Sequence, residues 1–442
     1  MTVLARLADF VHGFEPATLT DSDRDHLALH VFDSLGAMLA GARTTEGRVL
    51  TRLARGGGVA PSIRAWTATT RSTEMDDIHL ASCTTPGSVV VPVALALTSA
   101  GEIASPQAFL AAVLVGYEVL VRVGLAIEGP KVLGEGIWPT LFAAPLGAAA
   151  VASRALGLDA GATTDALSTA LALSTGTSLP PRDEPTSRWL TLGAAAEMGV
   201  LAARGAAEGL RGAPDLLEAR GSKIAGVAVS GGLLLDGLGR RFRFREVGLK
   251  PYPVARQALA AVEACRALAR DSGASDEIER ITIAVPSAQR RVIDHPRRPG
   301  APDGRLASIV DARYLAALAV LAPDKLHDVD RSPPFTSAAI QELASRVEVE
   351  SAPELERYYP ERWPARVEIR WKGKDLSREL LAPEGDVESG YSWDEALEKF
   401  RRALAPQMSN ERVDVLSRGL RELDSARSWP FPELREALPV PG

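Results

Sequence analysis

Two cysteines in 442 residues, Cys83 and Cys265, are too few for a disulfide framework, and nothing in the sequence pairs them. They read as buried, unreactive thiols in a reducing compartment. Excess positive charge is lacking too. Fifty Lys and Arg stand against 56 Asp and Glu, a net charge of -6, so there is no basic face for a phosphate backbone and no nucleic-acid partner is expected. No strand, Gly-x-Gly-x-x-Gly, helix order marks a dinucleotide site, and no Gly-x-x-x-x-Gly-Lys-Ser/Thr appears. The first residues carry no uninterrupted apolar run, because Asp9, His12 and Glu15 break it up, so no secretory signal and a cytoplasmic location are expected. The run "FLAAVLVGYEVLVRVGLAI" at 109–127 is the one membrane candidate. Glu118 and Arg122 stand in its middle at i,i+4, where an ion pair supports a helix in water and is costly in lipid, so it reads as a core helix.

What is present is an ordinary globular composition, 46% apolar and 24% charged. Up to about residue 240 helix follows helix. "DSDRDHLALHVFDSLGAMLAG" has an acidic first turn and a closing Gly41. Ser105 is the expected N-cap, and Pro106 the first residue, of the helix that follows. Two Ala- and Gly-rich stretches, "PTLFAAPLGAAAVASRALGLD" and "TLGAAAEMGVLAARGAAEGLRG", suit closely packed helix layers. In "GRRFRFREV" Arg241, Arg243 and Arg245 alternate with Phe242 and Phe244, the period of a strand with one wet face.

Beyond Arg240 the pattern changes. "IERITIAVPS" and "PARVEIRWKGK" alternate as half-exposed strands, and "VARQALAAVEACRALAR", "DARYLAALAVLA" and "FTSAAIQELASRVEVE" read as helical stretches around them. "LPPRDEPTS" resembles an insertion, "HPRRPGAPDGR" an exposed connection, and the "GGG" at 56–58 a loop. Ser392 and Glu395 form a capping box that opens a final helical run. The expected fold class is mainly α with a smaller α+β domain: residues 1–248 and 393–442 all-helical, residues 249–392 α+β.

Chemistry is expected in "EMDDIHLASCTTPGSVVVPVALAL", residues 74–97. Thr85 as N-cap and Pro86 in the first turn would begin a buried helix whose free amides point back at Asp76, Asp77 and His79. Such an aspartate is a candidate general base, oriented by His79. The bland alternative makes both aspartates caps or solvated turn residues and His79 a structural histidine. His26 and His30 have i,i+4 spacing, but surface position is expected for them and no metal site is predicted.

That stretch, with "GYEVLVRVG", "GIWPTLFAAPLGAAAVASRALGL", "KPYPVARQALAAVEA" and "EKFRRAL", in order along nearly the whole chain, resembles the MmgE/PrpD family. The family includes 2-methylcitrate dehydratase, cis-aconitate decarboxylase and iminodisuccinate epimerase. The resemblance implies a large all-helical domain built from both chain ends, an inserted α+β lid domain, and a homodimer. It also implies chemistry without metal or organic cofactor, by proton removal next to a carboxylate.

Carried over residue by residue, Asp76, Asp77 and His79 match an Asp-Asp-x-His element, and Lys250 and Tyr252 a Lys-x-Tyr-Pro element. Thr85, Trp138 and Ala255 stand where relatives carry histidine, or cysteine in the last case. Arg188 corresponds to a lysine, Thr140 to a shared threonine and Leu318 to a tyrosine. Thr, Trp, Ala and Leu cannot exchange protons near neutral pH, so general acid/base capacity worth roughly 10²–10⁴-fold per group is removed.

The expectation is therefore a diverged, cofactor-independent lyase or isomerase acting on a small carboxylic acid or carbonyl compound of specialised metabolism, by dehydration, isomerisation or cyclisation. Asp76 or Asp77 would be the base, Lys250 and Arg188 the cationic anchors, and Tyr252 or His79 the donor. Thr85, Trp138, Thr140 and Ala255 would line the substrate. The alternative is a non-catalytic ligand- or partner-binding homodimer that keeps the fold.

Overall fold

The computed structural model describes the chain except residues 55–56, 178–185, 274–276, 296–303, 332–336, 406–407 and 424–442. Most of the insertion-like "LPPRDEPTS" and of "HPRRPGAPDGR", and the first glycine of the "GGG" run, lie outside the described residues. The chain divides into two compact units, one built from Met1–Ser178, Ser187–Leu249 and the residues from Trp393 onward, the other on Lys250–Ser392.

The first unit is a stack of helices. Asp21–Gly41 starts at Thr20, whose hydroxyl accepts from the Asp23 amide while Asp23 accepts from the Thr20 amide, a closed capping box. Every residue from Leu27 to Gly41 in this helix is buried, so it is a core element and not an amphipathic surface one. Ser105 caps Pro106–Ala126 through the Ala108 amide. That helix is the only one among the described residues long and apolar enough to cross a membrane, and 89% of its apolar window is buried inside the protein.

Within it Arg122 Nε donates to Glu118 Oε2 at 3.1 Å, and the other guanidinium nitrogens donate to the carbonyls of Asp236 and Arg241. Both charges are thus fully paired in the interior, the only condition under which burial of such groups is tolerated. The small residues of Pro139–Ala155 and Ser187–Ala207 let these helices touch: a Cβ on Gly199 would collide with the Pro145 carbonyl. "GRRFRFREV" is not a strand. Arg243–Glu246 is a 3-10 turn, because Arg245 is drawn to Asp23, Arg243 to Asp236 and Arg241 to Glu246, while Phe242 meets Phe14 edge-on and Phe244 at a tilt.

The second unit holds a four-stranded sheet in the order Val347–Ser351, Ile278–Val285, Ala365–Trp371, Lys374–Leu380, the first pair parallel and the others antiparallel. Ile281 and Ile283 pair with Val347 and Val349 on one side and with Ile369 and Val367 on the other. Period-two alternation turns these side chains into one core with the helices Arg256–Ser272 and Ala312–Leu321. Lys372 and Gly373 join the last two strands with φ of 50° and 72°, the positive pair that a two-residue type I′ hairpin requires. The "VEVE" of the third expected helix belongs to the sheet: Ala338–Ser345 is helical and Val347 starts the strand.

Candidate functional site

Asp76 and Asp77 sit in a tight loop after the helix Val59–Ser72, entered through Glu74 in the left-handed region (φ 57°). Both are fully buried. Although adjacent in the chain, they face different surroundings.

Asp77 is saturated. Its Oδ1 accepts the Gly87 amide at 2.9 Å, and its Oδ2 accepts the Tyr117 hydroxyl at 2.7 Å and the His30 Nδ1 proton at 3.2 Å. It therefore caps the helix Gly87–Ser99 from ten residues upstream. Pro86, and not Thr85, occupies the N-cap position. Only glycine fits at 87, since a Cβ there would lie 2.7 Å from both Asp77 Oδ2 and the Tyr117 oxygen. Thr85 instead donates its amide to Thr140 Oγ1 at 3.1 Å, which brings two of the expected residues together.

His26 and His30 are not surface residues. His30 is fully buried and its Nε2 lies 3.0 Å from His26 Nε2. Because Asp77 can only accept, His30 carries its proton on Nδ1 and accepts the His26 proton on Nε2. Burial pushes both imidazoles down to about 3, helped for His26 by His30 and for His30 by Lys399, so both are neutral near pH 7. Burial, then Asp77, raises the Tyr117 phenol well above its ordinary value. Behind them Lys399, from the helix Trp393–Leu404, donates to Asp33 and to the Met75 carbonyl. Burial pushes Asp33 up to about 6 against the opposing pull of Lys399.

His79 is committed elsewhere. Its Nδ1 contacts Ser82 Oγ at 2.9 Å and its Nε2 lies 3.3 Å from Glu246 Oε2, so His30 is the imidazole bonded to Asp77. Burial lowers His79 despite the Glu246 carboxylate beside it.

Asp76 looks the other way. Arg71 Nη1 reaches Asp76 Oδ1 at 3.2 Å and Glu74 Oε2 at 2.7 Å. Burial opposes the charge on Arg71, but Asp76 and Glu74 hold its pKa above the ordinary value. Its guanidinium carbon lies 5.7 Å from the ring centres of both Trp138 and Trp189. Arg188 shares the same two rings, at 5.0 and 4.9 Å. Burial, partly offset by Glu74 and reinforced by Arg71, takes Arg188 down to about 10. Asp76, Trp138 and Arg188 are thereby united with Arg71, Glu74 and Trp189, which sequence reasoning had not singled out. The signal for Trp189 was its place beside Arg188; for Arg71 there was only its turn position before the acidic loop.

The remaining expected residues belong to the second unit. Lys250 is buried, and the Tyr252 ring meets His327 edge-on at 5.4 Å. Ala255 precedes the helix Arg256–Ser272 and donates its amide to the Ile309 carbonyl at 2.7 Å, while Leu318 is core. Arg331 ties the carbonyls of Pro253, Ser308 and Leu326 together. Both cysteines are buried thiols, each pushed up to about 12 by burial. Among the described residues no group of three or more His, Cys, Asp or Glu is placed to hold a metal ion.

Chemically, the first unit offers a buried carboxylate, Asp76, paired with one guanidinium of an Arg–Trp cluster, beside a second carboxylate locked into the scaffold. No curated protein matches the chain. Two family models do: MmgE/PrpD N-terminal domain over residues 5–229 and MmgE/PrpD C-terminal domain over residues 252–423. With more than half of its length covered by the first and most of the remainder by the second, the chain belongs to the MmgE/PrpD family, a family of dehydratase/lyase-type enzymes.

Proposed function

We propose that the protein is a cofactor-independent lyase or isomerase that removes a proton next to a carboxylate or carbonyl of a small organic acid, with Asp76 as the base. The observation that carries this is the division of labour between the two aspartates. Asp77 spends its lone pairs on Gly87, Tyr117 and His30, whereas Asp76 faces Arg71 in the cluster that also holds Arg188 and Trp138. A base must be able to take up a proton, and a carboxylate held by three donors is stabilised as the anion. Arg71 beside Asp76, and Arg188 on the same two indole rings, supply positive charge for a substrate carboxylate and for the enolate-like charge that grows as the proton leaves.

The substitutions at Thr85, Trp138 and Ala255 leave these positions without imidazole, so the reading favours a reaction completed with one base and good positioning over one that needs several proton carriers. Within the same reading the working form is a homodimer.

Proton exchange tests it. Candidate hydroxy and unsaturated acids are incubated with the protein in heavy water and followed by NMR. Exchange at the carbon next to the carboxyl or carbonyl is expected, and Asp76→Asn should slow it by roughly 10²–10⁴-fold. Exchange in that variant at the parent rate removes Asp76 from the mechanism. Binding of acids without any exchange would favour the second reading, a ligand-binding protein on an enzyme fold, for which the tied-up His79 and Asp77 speak.

A further inference from the structure

Buried donors without acceptors are rare in folded proteins, and each asks for an explanation such as a bound ligand. Among the described residues the Arg–Trp cluster holds three of them: Arg71 Nε, Arg188 Nε and Trp189 Nε1. Trp189 is wholly buried and Arg71 is 7% exposed, so these N–H groups are cut off from bulk water. They belong to side chains that share the two indoles of Trp138 and Trp189, whose ring centres are 6.4 Å apart. None of the three can satisfy another, because guanidinium and indole nitrogens donate and never accept. Of the neighbouring carboxylates, Glu74 Oε2 and Asp76 Oδ1 lie on Arg71 Nη1.

From this we infer that Arg71, Arg188 and Trp189 form a binding site for the carboxylate of an organic acid carrying a single negative charge on an apolar body. The inference deepens the function proposed above and rests on it for the role of the bound acid. A carboxylate brings two oxygens and about four lone pairs, enough for three N–H donors, and its charge strengthens each bond.

The charge balance selects the class. Two guanidinium groups against Glu74 and Asp76 make the cluster neutral, so one bound carboxylate is held by the N–H donors and already turns the local charge negative, and a second or third carboxyl group would be repelled. The walls are indole, so what adjoins the carboxylate is hydrocarbon or an aromatic ring. Occupation of the site has a chemical consequence. An anion bound beside Arg71 raises the proton affinity of Asp76, so the acid that docks also makes the base a better one.

Benzoate is the probe, since it has the carboxylate and the flat apolar body but no exchangeable proton next to it. Titration calorimetry and thermal shift on the full chain compare it with benzamide, which replaces the anion with a neutral amide, and with citrate, which carries extra carboxylates. Benzoate is expected to bind at least tenfold more tightly than either. Trp189→Phe, which removes the indole N–H and keeps a ring, and Arg188→Met should each weaken it about tenfold or more, the equivalent of one buried charge-assisted hydrogen bond.

The inference is overturned if benzoate does not bind, if benzamide or citrate binds as well, or if both variants bind like the parent. A water cluster in place of the carboxylate in a benzoate-soaked crystal also overturns it. Asp76→Asn separates this from the catalytic reading, because benzoate binding should survive in it while proton exchange is lost. Benzoate binding with parent-like exchange in that variant sinks the catalysis and keeps the site. Asp76-dependent exchange with no benzoate binding does the reverse.

Discussion

Asp76 and Asp77 are neighbours in sequence and equally buried, yet their surroundings differ in one respect that matters. Around Asp77 three donors have found one acceptor: a helix amide, a phenol and an imidazole converge on one carboxylate, and a second imidazole completes the chain. Around Asp76 Arg71 alone is bonded to carboxylates, and the Nε groups of Arg71 and Arg188 and the indole N–H of Trp189 are left without an acceptor among the described residues. A satisfied buried network rigidifies a fold; an unsatisfied one of donors only costs stability unless something arrives to accept. One side of the loop is therefore scaffold, and the other is where a ligand belongs. The second unit lacks this contrast at its sheet, whose inner face is aliphatic and whose charges pair across exposed strands, as Arg370 does with Asp375.

The sharpest way to break the comparison is to remove the scaffold carboxylate. Asp77→Ala strands the Gly87 amide, the Tyr117 hydroxyl and the His30 proton in a dry interior. A loss of about 3–5 kcal/mol is expected, a large share of the stability of a typical domain. Urea denaturation followed by circular dichroism measures it. A midpoint within error of the parent would mean that Asp77 is not the hub.

Next comes acidity. Free histidine titrates near 6.5, and burial takes His30 down to about 3, so between these values the unfolded chain binds a proton that the native state refuses. The native state must then lose stability as the pH falls through this window, by about 1.4 kcal/mol per pH unit for one imidazole. Asp33 works in the opposite direction. Raised to about 6, it keeps a proton that the unfolded chain releases above about 4, and so it stabilises the acidic side of that window. His30→Asn retains a donor for Asp77 and does not titrate. Its stability should therefore fall more gently than the parent's between pH 6 and pH 4, by about one proton's worth of slope. Parallel profiles in the two proteins would place the titrating group elsewhere.

Much of this architecture was legible in the chain, and the failures are physical. Asp21–Gly41 and Pro106–Ala126 were readable because caps and periodicity agree at their starts. "GRRFRFREV" misled because alternation of Arg and Phe mimics a strand, while the arginines are in fact drawn to Asp23, Asp236 and Glu246 and curl the segment. The edge strand Lys374–Leu380 was unreadable, since a half-exposed "KDLSREL" has no apolar face to announce it.

Asp76, Trp138 and Arg188, expected from motif position, share one cluster through Arg71 and the indole rings. His30, Tyr117 and Lys399 escaped because a hydrogen bond 47, 40 or 324 residues away leaves no local trace. The i,i+4 histidines were expected on the surface because their helix carries Asp residues at its start. The helix buries all sides from Leu27 on, and that comes from its neighbours and not from its own pattern.

The smallest effect is expected where the donors are unmet. Arg188 is held in an apolar setting that brings its pKa down to about 10, so its charge is disfavoured in the folded state, and its Nε has no acceptor among the described residues. Replacing such a group with a hydrocarbon of similar length loses about 0.5–1 kcal/mol of cation–π attraction but also removes the desolvation cost. Arg188→Met should therefore melt within about 0.5 kcal/mol of the parent, or slightly above it, when no ligand is present. Calorimetric melting in ligand-free buffer decides. A loss comparable to that of Asp77→Ala would show that Arg188 is a structural cation already at rest, and the two sides of the loop would no longer be different in kind.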